Sequence, residues 1–264
     1  MHNYTAYAAH TIPANDTTRA VWVYKVPQES FRFPFLLHGI LAFSAYHLAY
    51  LDHSAQQTSY HALARMHQTE AIHGMRDALP MLGQENCHAL FVTSSLLALM
   101  AFTEKDSLIA LVDISSMLRG MDAIIDKTEQ LIYAGPFASL FAFYPGTDVP
   151  ECLSVLLTEL QGPEFARVAA SSRVASVAAW ELREAIEFCL KHAPYPLLRA
   201  VMLWPIRVDT KFWDVAREDH DWACKQVLKW YAAILEEAGN HWWFLGKWKT
   251  MKWSWHDEDV VVVA

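Results

Sequence analysis

Clustered positive charge is the first thing this sequence lacks. Lysine and arginine number 21 against 29 aspartates and glutamates, a formal net charge of −8. A protein that lies along a phosphate backbone needs the opposite balance, gathered into patches, so direct nucleic-acid contact is not expected. Glycine (9) and proline (11) are sparse, and there is neither a Ser/Gly tract nor a block of like charge. No linker or disordered tail is marked, and residues 1–264 read as a single domain. The four cysteines, Cys87, Cys152, Cys189 and Cys224, form no Cys-x-x-Cys pair. That excludes a zinc knuckle or thioredoxin-type motif and points to buried thiols in a reducing compartment.

Long uninterrupted apolar runs are also missing. Phe35 to Leu51 is broken by His38 and His47, and Leu90 to Phe102 by Thr93, Ser94 and Ser95, so both read as buried globular helices rather than membrane spans. Met1 to Asp16 is polar, without the charged start and apolar core of a secretory signal. Sustained alternation is absent, and strand propensity is confined to Val260-Val261-Val262-Val263. No Gly-x-Ser-x-Gly elbow, phosphate-cradling glycine loop or Ser/His/Asp pattern is written here.

What is present is a large apolar fraction, 53% hydrophobic residues against 19% charged, arranged with helical punctuation. Pro34 suits a first helical position, and the residues after it are apolar or small on every side, as in a helix at the centre of a fold. Gln56 to Leu79 carries a 3.6-residue stripe of Tyr60, Leu63, Ala64, His67, Ala71, Met75 and Leu79, with Gln57, Arg65, Gln68 and Arg76 facing away. Asn86 is placed to cap the helix that follows. Further helices are expected at Ser107 to Asp126, Gln130 to Phe143, Pro150 to Leu160, Pro163 to His192, Pro196 to Leu203, Val208 to Val215, Glu218 to Glu237 and His241 to Trp255. These Pro/Gly-punctuated segments of unequal length have no repeat period. They predict an all-α fold, an irregular multi-helix bundle of about ten helices.

Two Glu-x-x-His spacings, Glu70 with His73 and Glu85 with His88, match one half of a di-metal motif. The motif also needs a glutamate from each of two other helices, and Glu85 precedes the Asn86 cap, so no metal site is expected. Nor is any cofactor. The 13 histidines read as core or surface imidazoles, since none has a sequence-adjacent partner for acid–base work. Tryptophan is concentrated late in the chain, at Trp204, Trp213, Trp222, Trp230, Trp242, Trp243, Trp248, Trp253 and Trp255. Indoles suit both core packing and a wall against a flat hydrocarbon ligand.

The run Pro34-Phe35-Leu36-Leu37-His38-Gly39-Ile40-Leu41-Ala42-Phe43-Ser44-Ala45-Tyr46-His47-Leu48-Ala49 resembles the opening helix of the C-terminal regulatory domain of fungal zinc-cluster transcription factors, in the sterol uptake control branch. Matching segments follow in order: Tyr60 to Ala64, Met75 to Leu79, Glu85 to Phe91, Ser94 to Leu97, Leu118 to Met121, Gly135-Pro136, Leu203 to Val208 and Trp242 to Trp248. The resemblance implies an intracellular domain, nuclear or cytoplasmic, whose helices enclose a hydrophobic pocket for a sterol, terpenoid or related molecule. It also implies homodimerisation as a common state. On that reading the ligand-binding walls come from Leu37, Leu41 and Tyr46, from Phe91, Leu97 and Met100, and from Trp204, Trp242 and Phe244. The family's six-cysteine zinc cluster has no counterpart among these residues, so the function expected is a transcription regulator without its own DNA-binding module. The alternative is a secondary-metabolite cyclase or isomerase that reuses the same pocket.

Overall fold

The computed structural model describes residues 1–12, 15–104, 107–141, 150–218 and 221–250. Among them there are thirteen α-helices and no strand: α1 (His2–Ala6), α2 (Asp16–Ala20), α3 (Val26–Ser30), α4 (Pro34–Leu51), α5 (Gln56–Ala78), α6 (Cys87–Glu104), α7 (Leu108–Tyr133), α8 (Glu151–Glu159), α9 (Pro163–Ser171), α10 (Arg173–His192), α11 (Pro196–Arg207), α12 (Thr210–Arg217) and α13 (Trp222–His241). A π-helical stretch, Val21–Lys25, joins α2 to α3, and a 3₁₀ segment, Trp243–Thr250, follows α13. The all-α expectation holds. The first 33 residues add three short helices that the sequence reading did not anticipate.

Helix α4 begins at Pro34 as expected and is buried on most of its surface. It packs against α5 on one side and α6 on another. A methyl group built on Gly39 would touch Thr93 and Leu96 of α6, and seven residues later Tyr46 meets Glu104, so α4 and α6 run in the same direction. Both are long and apolar enough to cross a membrane, as the core helix of a globular protein can be; here 61% of α4 and 78% of α6 is buried inside the protein. Helix α5 turns out less amphipathic than its stripe suggests. Only Ala64 and Ala71 are fully buried, Leu63 is 42% exposed, and Gln68, expected to face away, turns inward to Tyr46. Its close approach to α4 runs through Gly74, where an added Cβ would lie 2.8 Å from Phe35 Cβ.

The second half departs from the expected boundaries for identifiable reasons. The polar run Asp126 to Glu129 reads as a loop, yet α7 continues through it to Tyr133. Thr128 is buried, and its hydroxyl donates to the Ile124 carbonyl (2.6 Å), so the polar group is satisfied within the helix. Conversely, the single helix expected over Pro163 to His192 breaks at Ser172, which is extended and whose Oγ accepts from Ala175 N (3.3 Å) to cap α10. Asn86 precedes α6, but its side chain points backwards, accepting from Gly83 N and donating to Ala78 O, so it ties the α5–α6 turn. Residues 251–255 of the last expected helix, with Trp253, Trp255 and the Val260–Val263 run, lie outside the described residues.

Pro205 sits inside α11, where the expected helix stopped at Leu203. Proline removes one helical N–H, which leaves the carbonyl four residues back without its donor. That carbonyl belongs to Val201, and the Tyr231 hydroxyl of α13 donates to it at 2.7 Å. The Pro205 carbonyl, near the end of the same helix, accepts from Ser115 Oγ (2.7 Å) and from the Arg119 guanidinium (3.4 Å), which also donates to Val208 O. Trp204 Nε1 donates to Ala178 O (2.9 Å), and its ring packs 4.4 Å from that of Tyr231. The segments Leu118 to Met121 and Leu203 to Val208 therefore meet, and α7, α10, α11 and α13 are held together at the proline.

Tyr231→Phe is expected to lower stability by about 1–3 kcal/mol, the cost of leaving a buried carbonyl unpaired, seen as a lower denaturant midpoint at constant m-value. Gly74→Ala is expected to cost about 1–3 kcal/mol through forced separation of α4 and α5. A melting temperature equal to wild type in either variant would contradict the contact assigned to it.

Candidate functional site

The expected walls fall into separate places. Tyr46, Phe91, Leu97, Met100, Trp204 and Phe244 are buried in one continuous core, and Leu37, Leu41 and Trp242 are half-buried. Trp204 belongs to an aromatic knot with Phe212, Trp213 and Tyr231, and its N–H is already used. Leu37 and Leu41 occupy a different face of α4 from Phe43, His47 and Tyr50, which lie three and four residues apart. A charged cleft of about 200 Å³, lined by Glu184, Glu187, Phe188, Lys191, His192 and Arg207, opens between α10 and α11, and none of the expected wall residues lines it.

The structure brings Tyr46 and Phe244 together with unpredicted partners at the C-terminal ends of α4 and α6. Here the 3₁₀ segment Trp243–Thr250 crosses as a strap, packed on α13, α6 and α4. A run of eight 3₁₀ residues is long for that helix type. It lies close on α13 because Gly239 has no side chain: an added Cβ would come within 2.9 Å of Leu245 O and Lys249 N. The last carbonyls of α6 have no helical donors, and the strap supplies them. Trp248 Nε1 donates to Phe102 O (3.0 Å) and Lys247 Nζ to Glu104 O (3.0 Å). Trp243 Nε1 reaches the N-terminal segment, donating to Thr11 Oγ1 at 2.8 Å.

Beneath the strap is an aromatic box. The Trp243 indole has ring neighbours in Phe43 (5.2 Å), His47 (5.3 Å), Tyr50 (5.8 Å) and Phe244 (5.7 Å). His47 is 5% exposed and its Nδ1 has no hydrogen-bond partner; neither has the hydroxyl of Tyr4, whose ring meets Phe43 edge to face. Burial lowers the His47 pKa and raises that of the Tyr4 phenol, so both are neutral at physiological pH.

Beside the box is a polar rim. The Tyr46 hydroxyl donates to Glu104 Oε1 (2.5 Å), which also accepts from Arg65 Nε (3.0 Å). The Gln68 carboxamide lies 2.8 Å from the same hydroxyl. The atom facing it is Gln68 Oε1, so the phenol's single proton points at two acceptors, with Glu104 the nearer. Burial first, and the neighbouring carboxylate next, push the Tyr46 phenol well above its usual range. Gln68, Glu104, Thr11 and Lys247 were invisible to the sequence reading, since their roles depend on helix register and chain crossing.

The other candidates do not converge. Glu85 is 91% exposed and pairs loosely with Arg32, while His88 stacks on Phe137. His38 Nδ1 faces His67 Nδ1 at 2.9 Å across α4 and α5. Among the described residues no three His, Cys, Asp or Glu side chains are grouped to hold a metal ion. All four thiols are unpaired, and burial raises those of Cys189 and Cys224 to about 12, a setting for inert cysteines.

Comparison with known proteins finds similarity over the first half of the chain. Residues 1–130 match the fungal specific transcription factor domain. Sterol uptake control protein 2 of Candida albicans is 34% identical over 101 residues, and its namesake of Saccharomyces cerevisiae 32% over 101 residues. Each match covers 38% of this chain and only 13% and 10% of the respective relative. The matched region contains α4, α5 and α6, so the first half of this chain is similar to the fungal specific transcription factor domain.

Proposed function

We propose that this chain is the ligand-responsive regulatory domain of a fungal transcription regulator, in which a hydrophobic small molecule of sterol or terpenoid size biases the fold between two arrangements. The observation that carries the reading is the family match over the helices that form the core, joined to a strap held by side chains at the open end of α4 and α6. A strap held in this way can change position without unwinding a helix. A ligand shifts such an equilibrium only by its difference in affinity for the two arrangements. The relatives' name, sterol uptake control, supports a sterol or a molecule like it.

Under this reading contact with DNA is left to another module or protein, as a net charge of −8 favours. The domain acts inside the cell, in the nucleus or cytoplasm, and as a homodimer. A cyclase or isomerase is less well supported. Catalysis needs a positioned acid or base, whereas His38 is bonded to His67, His88 is stacked on Phe137, and Glu104 is engaged by Tyr46 and Arg65.

The test is binding by the purified chain. Ergosterol and farnesol, each compared with vehicle at about a hundredfold over Kd, stabilise by about 2.7 kcal/mol if they bind only the folded state. That corresponds to a rise in melting temperature of about 5–10 °C for a chain of this size. Native mass spectrometry should show the ligand bound and chemically unchanged. Absence of both stabilisation and bound mass for every sterol and terpenoid tried would overturn the ligand reading, and a product of altered mass would make the protein an enzyme. The same preparation is expected to give no salt-sensitive gel shift with duplex DNA.

A further inference from the structure

We infer that the Trp243 indole is a tethered occupant of the ligand site: the box formed by Phe43, His47 and Tyr50, with Thr11 at its edge, binds a flat hydrocarbon ring bearing one hydroxyl, in exchange for the Trp243 side chain. This rests on the ligand-binding reading above and goes beyond it by naming the site, the group displaced and the polar contact. Three aromatic rings along one face of α4, those of Phe43, His47 and Tyr50, line the indole at 5.2–5.8 Å, within the range of favourable ring contacts. Thr11 Oγ1 accepts the indole N–H at 2.8 Å and donates its own proton to Ala8 O at 2.7 Å. Its free capacity is therefore as an acceptor, which an incoming hydroxyl satisfies as the N–H does.

The box also holds a polar atom that the indole does not serve. His47 Nδ1 is buried without a partner, and such groups in native interiors call for an explanation. An indole has one donor and no acceptor, and that donor is spent on Thr11; a hydroxyl both donates and accepts. Exchange is local. Trp243 is half-buried, while Phe244, Leu245 and Trp248 of the same strap are buried, and the bonds to Phe102 O and Glu104 O come from Trp248 and Lys247. The strap can stay docked while the Trp243 ring swings out. The exchanged state then differs from the empty one by an exposed indole at the surface, a change that a partner protein can read.

The experiment compares cholesterol with cholest-5-ene, which lacks the hydroxyl, presented to wild type, to Trp243→Ala and to Trp243→Ala with Thr11→Val. Removing the tethered ring is expected to tighten cholesterol binding at least tenfold, and Thr11→Val is expected to abolish the preference for cholesterol over cholest-5-ene. Wild-type protein labelled with 5-fluorotryptophan, its Trp243 ¹⁹F line assigned through Trp243→Phe, should show that line shifting on saturation with cholesterol. This measurement decides the question if Trp243→Ala does not fold. Binding by wild type with no gain in Trp243→Ala, or a Trp243 line that does not move, overturns the inference and leaves the ligand reading intact. No binding by any form removes the ligand reading itself.

Discussion

A helix that ends inside a protein leaves carbonyls with nothing to accept from, and each such group left unpaired costs about 1–3 kcal/mol. The architecture of this chain follows from how two helices meet that constraint. Helix α6 is apolar on every side, and its Phe102 carbonyl is buried near the helix end, so it must be served from elsewhere; Trp248 does so, while Lys247 donates to Glu104 O at the exposed edge. Helix α11 carries a proline that orphans Val201 O, and Tyr231 serves it. Both solutions bring donors across long sequence separations, so the donors fix where α13 and the strap must lie. The aromatic richness of the C-terminal region follows: a Trp or Tyr offers a large apolar body to fill the space and one donor at the tip to close the carbonyl.

The same device gives the molecule a cover that can be uncoupled in parts. Full release of the strap would expose Phe244 and Trp248, now at 0% and 2%, and burial of a large apolar side chain is worth roughly 1.5–3 kcal/mol. The freed α6 carbonyls would find water, so the cost of opening is mainly hydrophobic. Movement of the half-buried Trp243 ring alone gives up less surface and one hydrogen bond. A small molecule that offers comparable ring area in its place offsets most of that cost, so modest differential affinity is enough to shift the population.

Much of this fold was legible because single positions carried single meanings. Pro34 began α4, Gln56 opened α5, and the Pro80 and Gly83 region closed it. What failed to read did so where tertiary contacts override local pattern. Thr128 looks like a loop residue, yet inside the core its hydroxyl bonds within the helix. Gln68 looks like a solvent residue until the Tyr46 hydroxyl arrives from another helix. Trp204 read as a candidate wall; its indole is committed to Ala178 and the knot around Tyr231. Leu37 and Leu41 shared a helix with the box but not its face. Phe43, His47 and Tyr50 share a helical spacing on one face of α4, but Thr11 and Trp243, which complete the box, come from distant parts of the chain that no local spacing joins to it.

That division bears on how such a chain diverges. The matched region, residues 1–130, contains Thr11, α4 and α6, the walls of the box and the helix end that needs capping. The strap, at 243–250, lies outside it. The constraint is strict at Trp248 of the strap and at Gly239 of α13 beneath it, where a buried helix cap and close backbone approach leave few alternatives. It is looser at Trp243, which is half-buried and whose indole makes one hydrogen bond, to Thr11. A chain of this kind can therefore keep its core and its cap and still alter what occupies the box by changing one side chain on the strap. The walls of the box and the strap that covers them are written in different halves of the sequence.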